Sequence, residues 1–255
     1  MTSVGSIVWI ARLNLSQFAV MGQVIPSQEP KSKPTTVSAG PRFIQPAEDR
    51  DTLFPATQSQ GPGGVRGHCP DFPQASFTAL VPENNIARTV SDYPTFFFYL
   101  PQPNAELAEF ILQDENDKVI YSQALTIKNL SGVIGVSIPA NTNVPPLEVG
   151  KKYSWVFSLV CDPEDRAVDK VEKGVVLRVE LSADILGELD AANPRRKTVI
   201  YAEKGIWQDA LGTLAAARRA NPNDTGLAAD WESLLDSVTL GAIAKEPIVE
   251  KEAQP

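Results

Sequence analysis

The chain has 255 residues, 43% hydrophobic and 21% charged, with a formal net charge of −8 and a pI near 4.8. That is the composition of a globular protein with room for one large domain or two small ones, and its acidity repels a phosphate backbone, so no nucleic-acid partner is expected. Two cysteines and one histidine leave little metal or thiol chemistry, no cofactor is predicted, and no stretch is long and apolar enough to form a transmembrane helix.

Residues 1–22 read as a possible signal peptide. They are apolar overall but split by Arg12, and Leu13–Met21 is diluted by Asn14, Ser16 and Gln17. Residues 23–74 are rich in Pro, Gly, Ser and Thr and show no helical or strand period, which predicts a disordered linker. Within it Phe43 and Ile44 mark a short edge strand or a transient contact. The run Gly61–Gly67 is glycine-rich, yet it lacks the preceding strand and following helix of a phosphate loop.

From residue 75 to residue 181 short strands follow one another. Phe77–Val81 stops at Pro82, Thr95–Leu100 (TFFFYL) is continuously apolar, and Leu107–Gln113 alternates before the Asp114–Asp117 turn and Val119–Ser122. Ile134, Val136 and Ile138 make another alternating face, as do Tyr153–Cys161 and Val175–Leu181. The fold class predicted is multi-part α+β: an antiparallel, immunoglobulin-like β-sandwich, with a closed barrel as the alternative, followed by helices.

At Ser182 the period changes from two to about 3.6. Ser182 and Asp184 are placed to cap a helix carrying Ile185, Leu186 and Leu189, which Asn193-Pro194 ends. Further helices are predicted over Arg195–Lys204, Trp207–Ala220 and from about Leu227, so residues 182–245 form a helical subdomain and residues 246–255 a frayed tail. Tyr201, Gly205, Trp207, Ala210, Leu214, Ala217 and Pro222 resemble the second half of one tetratricopeptide repeat. One repeat makes no peptide groove, so the hairpin reads as a packing unit.

Polar residues converge without an evident packing role just after the Tyr153–Cys161 strand, at Asp162, Glu164, Asp165 and Arg166. A carboxylate at Asp162 or Asp165 is placed to hold Arg166 in a charge-assisted bond and fix the loop. Asp162, Glu164, Asp165 and Asp169, like Asp114–Asp117, offer oxygen ligands for calcium, but neither cluster has calcium-loop spacing, and solvated turn carboxylates are the simpler reading. His68 beside Cys69 lacks two further ligands. Cys69 and Cys161 are either two thiols or one disulfide, which would contribute about 4 kcal/mol on chain-entropy grounds. The aromatics Tyr93, Phe96–Tyr99, Tyr153 and Trp155 read as core, with a sugar-stacking platform as the alternative.

FTALVPE, YPTFFFYLP, AEFILQDE, LEVGKKYSWVFSLVCDPEDR, RVEL and YAEKGIWQDAL, in this order, resemble the cyanobacterial domain-of-unknown-function 928 family over about Cys69 to Val249. The resemblance carries no activity or catalytic residues. It implies export, and with it a Cys69–Cys161 bond and a periplasmic or envelope location; the diluted leader keeps the cytoplasm as the alternative. The function expected is a non-enzymatic interaction or scaffolding module with a protein partner. A carbohydrate- or small-ligand-binding sandwich and an unrecognised enzyme are the alternatives.

Overall fold

The computed structural model describes residues 40–52, 54, 77–101, 105–140 and 143–249. The expected leader, the Gly61–Gly67 run, His68 and Cys69 lie outside them. Eight strands are β1 (Thr78–Ala79), β2 (Ile86–Thr89), β3 (Thr95–Leu100), β4 (Leu107–Gln113), β5 (Val119–Thr126), β6 (Gly132–Ser137), β7 (Lys152–Val160) and β8 (Lys170–Arg178). They form a three-stranded sheet, β1-β3-β6, and a five-stranded sheet, β2-β8-β7-β4-β5.

The two sheets share one apolar core because alternate residues of their strands point inward. In β7 these are Tyr153, Trp155, Phe157 and Leu159, and in β4 Ala108, Phe110 and Leu112, all buried. From β3 come Phe96, Phe98 and Leu100. Phe98 stacks on Phe157 with centroids 4.0 Å apart, and Phe96 meets Phe110 at 4.9 Å. Trp155 lies across its register partner Gly174, where an added Cβ would sit 2.3 Å from the indole.

The sheet is mixed, not antiparallel throughout, because β2 runs parallel to β8. Sequence periodicity passed over β2, whose four residues IART are too short to display a period. The turn at Pro82–Asn85, with Asn85 at φ +58°, carries the chain from the small sheet to the edge of the large one. Asn85 O then accepts the Val175 amide at 2.9 Å, fixing the register.

The continuous apolar run of β3 is explained by cover on both sides. Its other face puts Phe97, with Leu80 and Val133, into a second core built by the helices. These are α1 (Ala183–Ala191), α2 (Pro194–Glu203), α3 (Trp207–Ala220) and α4 (Thr225–Asp236). Asn193 caps α2 with Pro194 at its first position, and Asp224 caps α4 through Gly226 and Leu227. Ser182 precedes α1 but makes no side-chain cap bond, contrary to the sequence expectation. Trp207 is fully buried and donates Nε1 to Leu80 O at 2.8 Å, tying α3 to the small sheet. Sheets and helices accordingly fall within one compact unit, Ser38–Pro255.

Two expectations of disorder are corrected. Residues 40–52, read as linker, form a strap along the helices. The Ile44 amide donates to Ala202 O at 3.0 Å and the Phe43 amide to Ser237 Oγ at 2.9 Å, while the Phe43 ring meets Trp207 edge-on at 5.2 Å. At the end of a 3-10 turn at Ala47–Asp49, the buried Asp49 carboxylate accepts from Arg88 Nε at 2.7 Å. The start of the expected tail is also held: Val133 donates to Pro247 O at 2.7 Å and Val249 to Val133 O at 2.9 Å. Both segments are irregular and docked by single anchors, so no period betrays them.

Gly205, between α2 and α3, has φ +72°, and an added Cβ would lie 2.5 Å from Pro46 Cγ of the strap. A left-handed conformation costs a side-chain-bearing residue about 1–2 kcal/mol before any clash. Gly205→Ala is therefore expected to lower unfolding stability by at least about 1–2 kcal/mol and to accelerate proteolysis near Arg42 and Arg50. Thermal denaturation and timed digestion check this; unchanged cleavage with an unchanged midpoint would show that the strap does not depend on this turn.

Candidate functional site

Cys161 lies one residue past β7, and the chain returns to β8 through the loop containing the predicted cluster. Asp162 Oδ1 accepts the Glu164 amide at 2.9 Å and Asp165 Oδ1 the Ala167 amide at 3.2 Å. The second bond caps a 3-10 turn at Arg166–Val168. Both carboxylates are thus turn-formers, as their residue type favours, and neither holds Arg166. That guanidinium donates Nε to Asp169 Oδ2 at 2.6 Å and Nη2 to Glu109 Oε2 on β4 at 2.9 Å. Asp169, 5% exposed, also accepts the Cys161 amide through Oδ1 at 3.1 Å. The bonds to Glu109 and then Asp169 hold the Arg166 pKa above its ordinary value.

The result is a latch that ties the loop to β4 of its own sheet and leaves Asp162, Glu164 and Asp165 exposed. Sequence reading placed Asp169 in the acidic cluster but not as a partner of Arg166, and it missed Glu109. Asp169 is buried, and Glu109 reaches Arg166 only through the β4–β7 pairing. In the Asp114–Asp117 turn Asp114 Oδ1 accepts the Asn116 and Lys118 amides of the hairpin, and Glu115 Oε1 accepts the Lys152 amide of β7. Among the described residues no three His, Cys, Asp or Glu side chains gather as a metal cluster. Phe96, Phe97, Phe98, Tyr153 and Trp155 are buried, and Tyr93 and Tyr99 partly so, which takes the sugar platform's principal rings into the cores.

Two further polar sites carry no sequence signal. At the start of α3 a cleft of about 160 Å³ is lined by Thr89, Ser91, Tyr93, Gln208, Asp209 and Thr213, among others. Asp209 Oδ2 accepts from Thr89 Oγ1 at 2.8 Å and from the Val90 amide at 3.0 Å. Burial raises its pKa, with the Thr89 and Val90 bonds and the Arg178 charge opposing. In sequence Asp209 is indistinguishable from any acid in a helix first turn. A larger, polar cleft of about 280 Å³ lies between the strap, the Pro82–Asn84 turn and the end of α4.

Glu172 on β8 stands opposite Phe157 in register, and directly opposed residues share a face, so its carboxyl points toward the inter-sheet core. Burial pushes its pKa from 4.5 to about 7.

Taken together, the fold and these sites define a mixed α+β domain: two packed sheets backed by four helices, with a latched acidic loop at one sheet end. Residues 61–248 match the model of the Domain of Unknown Function (DUF928), and the chain belongs to that family. No curated protein matches it significantly.

The position of Glu172 makes stability pH-dependent. A carboxyl whose folded pKa exceeds its unfolded value binds more protons when folded, so the contribution of Glu172 to stability is most favourable below about pH 4.5 and falls as pH rises through about 7. Glu172→Gln is expected to raise stability at about pH 8 by about 1–2 kcal/mol, the lower part of the range because the side chain still reaches solvent, and to change little at about pH 4. Denaturant titrations at both pH values read this directly, and an equal effect at both would remove the carboxyl as its cause.

Proposed function

We propose that the protein is a non-enzymatic interaction module of the cell envelope, of the cyanobacterial type its motifs resemble, and that the latched loop after β7 presents its binding surface. The carrying observation is that Arg166, bonded to Glu109 and Asp169, ties the loop to its sheet, while Asp162 and Asp165 shape it by accepting backbone amides and stand exposed beside Glu164. A preorganised acidic surface on a chain of net charge −8 suits a partner with a basic face, where electrostatic complementarity gives specificity and rapid encounter. The packing of two sheets about Trp155 supports an immunoglobulin-like sandwich in the architectural sense. The α2–α3 hairpin, turned at Gly205 with small Ala210 at its contact, supports a single tetratricopeptide-like packing unit. Trp207 faces the small sheet and leaves no groove there.

A photo-crosslinking residue in place of Glu164 in the full chain, expressed in its own cells, is expected to give one discrete adduct from the envelope fraction. The adduct should weaken when Arg166→Ala loosens the loop. No adduct from positions 162, 164 and 165 alike would overturn the assignment of this surface.

The envelope location is supported by the absence of any free thiol among the described residues, Cys161 included, which suits an oxidising compartment and a bond to Cys69. Thiol titration of protein isolated without reductant or alkylating agent and then denatured is expected to find no reactive cysteine. Two titratable thiols would remove both the bond and the argument for export.

A further inference from the structure

The large sheet ends at β5, and the backbone there is unanswered. In an antiparallel pair alternate residues turn both N–H and C=O toward the neighbouring strand, and the others turn them away. The Ile127 amide donates to Glu106 O at 2.9 Å, continuing the Leu107–Thr126 register. Gln123 and Leu125 therefore face β4, whereas Ser122 and Ala124 direct their backbone groups away from it. Among the described residues no strand lies on that side, and the outward groups of Ser122 and Ala124 have no hydrogen bond.

Soluble proteins blunt such an edge with lysine, proline, a bulge or a covering segment. β5 is eight residues long, and its sequence VIYSQALT contains neither a charge nor a proline. Its one register shift, opposite Leu112 and Gln113, lies at the start of the strand and leaves Tyr121–Thr126 regular. Ser122 and Ala124 are exposed and carry small side chains that shield nothing. At the start of the strand Val119 is 50% exposed and Ile120 half-buried.

The other described edges are taken. Against β2 lies the strap, with the Phe54 amide donating to Asn84 O at 3.0 Å and Arg88 Nε to Asp49. In the small sheet Val133 of β6 is bonded to Pro247 and Val249, and β1 is only two residues long. Among the described residues, a second copy can therefore answer β5 only with its own β5. That pairing is isologous, so it closes as a dimer and does not propagate.

We propose that two copies of this chain associate through β5, antiparallel about a two-fold axis within Ser122–Ala124, joining their five-stranded sheets into one continuous sheet. Main-chain hydrogen bonds carry the affinity in this mode of recognition. The uncharged strand suits a chain of net charge −8, because no carboxylate of β5 is set against its own copy across the axis. A single strand pair is small beside the roughly 1,600 Å² of a standard interface, so the dimer is weak and depends on concentration. The inference stands apart from the acidic-loop reading and does not rest on it.

Sedimentation of the full chain between about 5 µM and about 500 µM is expected to show a monomer–dimer equilibrium. Amide exchange followed by NMR over the same range locates the contact. The Ser122 and Ala124 amides should exchange rapidly in the monomer and slow by roughly tenfold or more in the dimer, while Gln123 and Leu125 stay slow throughout. Ala124→Lys sets like charges near the axis and should weaken dimerisation by roughly tenfold or more. Ser122→Pro removes an outward N–H without touching the β4 ladder and should act in the same direction. Thermal denaturation verifies that each variant folds, and the lysine variant suffices where the proline variant does not fold. A monomer across the whole range, a dimer whose Ser122 and Ala124 amides still exchange rapidly, or a dimer undiminished by Ala124→Lys would overturn the proposal. Protection of both amides in a chain that stays monomeric would assign the edge to a segment of the same chain and overturn it equally.

Discussion

The structure depends on a single strand that is apolar on both faces. Phe96, Phe98 and Leu100 of β3 enter the core between the sheets, while Phe97 enters the core beneath the helices. A three-stranded sheet with a two-residue edge strand cannot hold a fold alone. It is stable here because the large sheet covers one side and α3 and α4 cover the other. The aromatic contacts of Phe98 with Phe157 and Trp155 on one side, and the Trp207 bond to Leu80 on the other, make β3 the layer that neither core can lose.

Packing takes precedence over polar satisfaction in these cores. Trp155, Trp207 and Trp231 are all buried to within 1%. Trp207 finds a carbonyl, but among the described residues the indole nitrogens of Trp155 and Trp231 have no partner. An unmade bond of this kind costs about 1–3 kcal/mol, comparable with the gain from burying a large ring, and the contact geometry decides the outcome. Trp155 occupies the space that a side chain at Gly174 would need, and the Arg218 guanidinium lies 5.2 Å above the Trp231 ring.

Legibility in the sequence follows from period. Leu107–Gln113 and Thr95–Leu100 emerge at their observed bounds because cover on one face or both writes itself into residue order. Trp207–Ala220 does so for the helical period. β2 is too short to repeat, and the strap docks through Phe43, Ile44, Pro46 and Asp49 at irregular intervals, so composition alone read as disorder. At the acidic loop the local turn bonds were foreseeable from residue type. The partner that fixes Arg166 was not, because Glu109 lies on a different strand and meets it through sheet pairing. Asp209 is the sharper case. Thr89, which distinguishes it from an ordinary first-turn acid, is 120 residues away in the chain.

The described ends of the chain dock on adjoining layers. The strap joins α2, α3 and α4 through Ala202, Trp207 and Ser237, and residues 247–249 join the small sheet at Val133. The family match begins at residue 61 and ends at 248, so it takes in the second closure almost whole and none of the strap. The strap's docking therefore rests on contacts of this chain alone. Chief among them is Gly205, whose left-handed turn serves the α2–α3 hairpin and whose missing side chain makes room for Pro46. One residue thus answers to two constraints, the geometry of a helix hairpin and the approach of a segment beyond the matched region, and the first alone is sufficient reason for a glycine there.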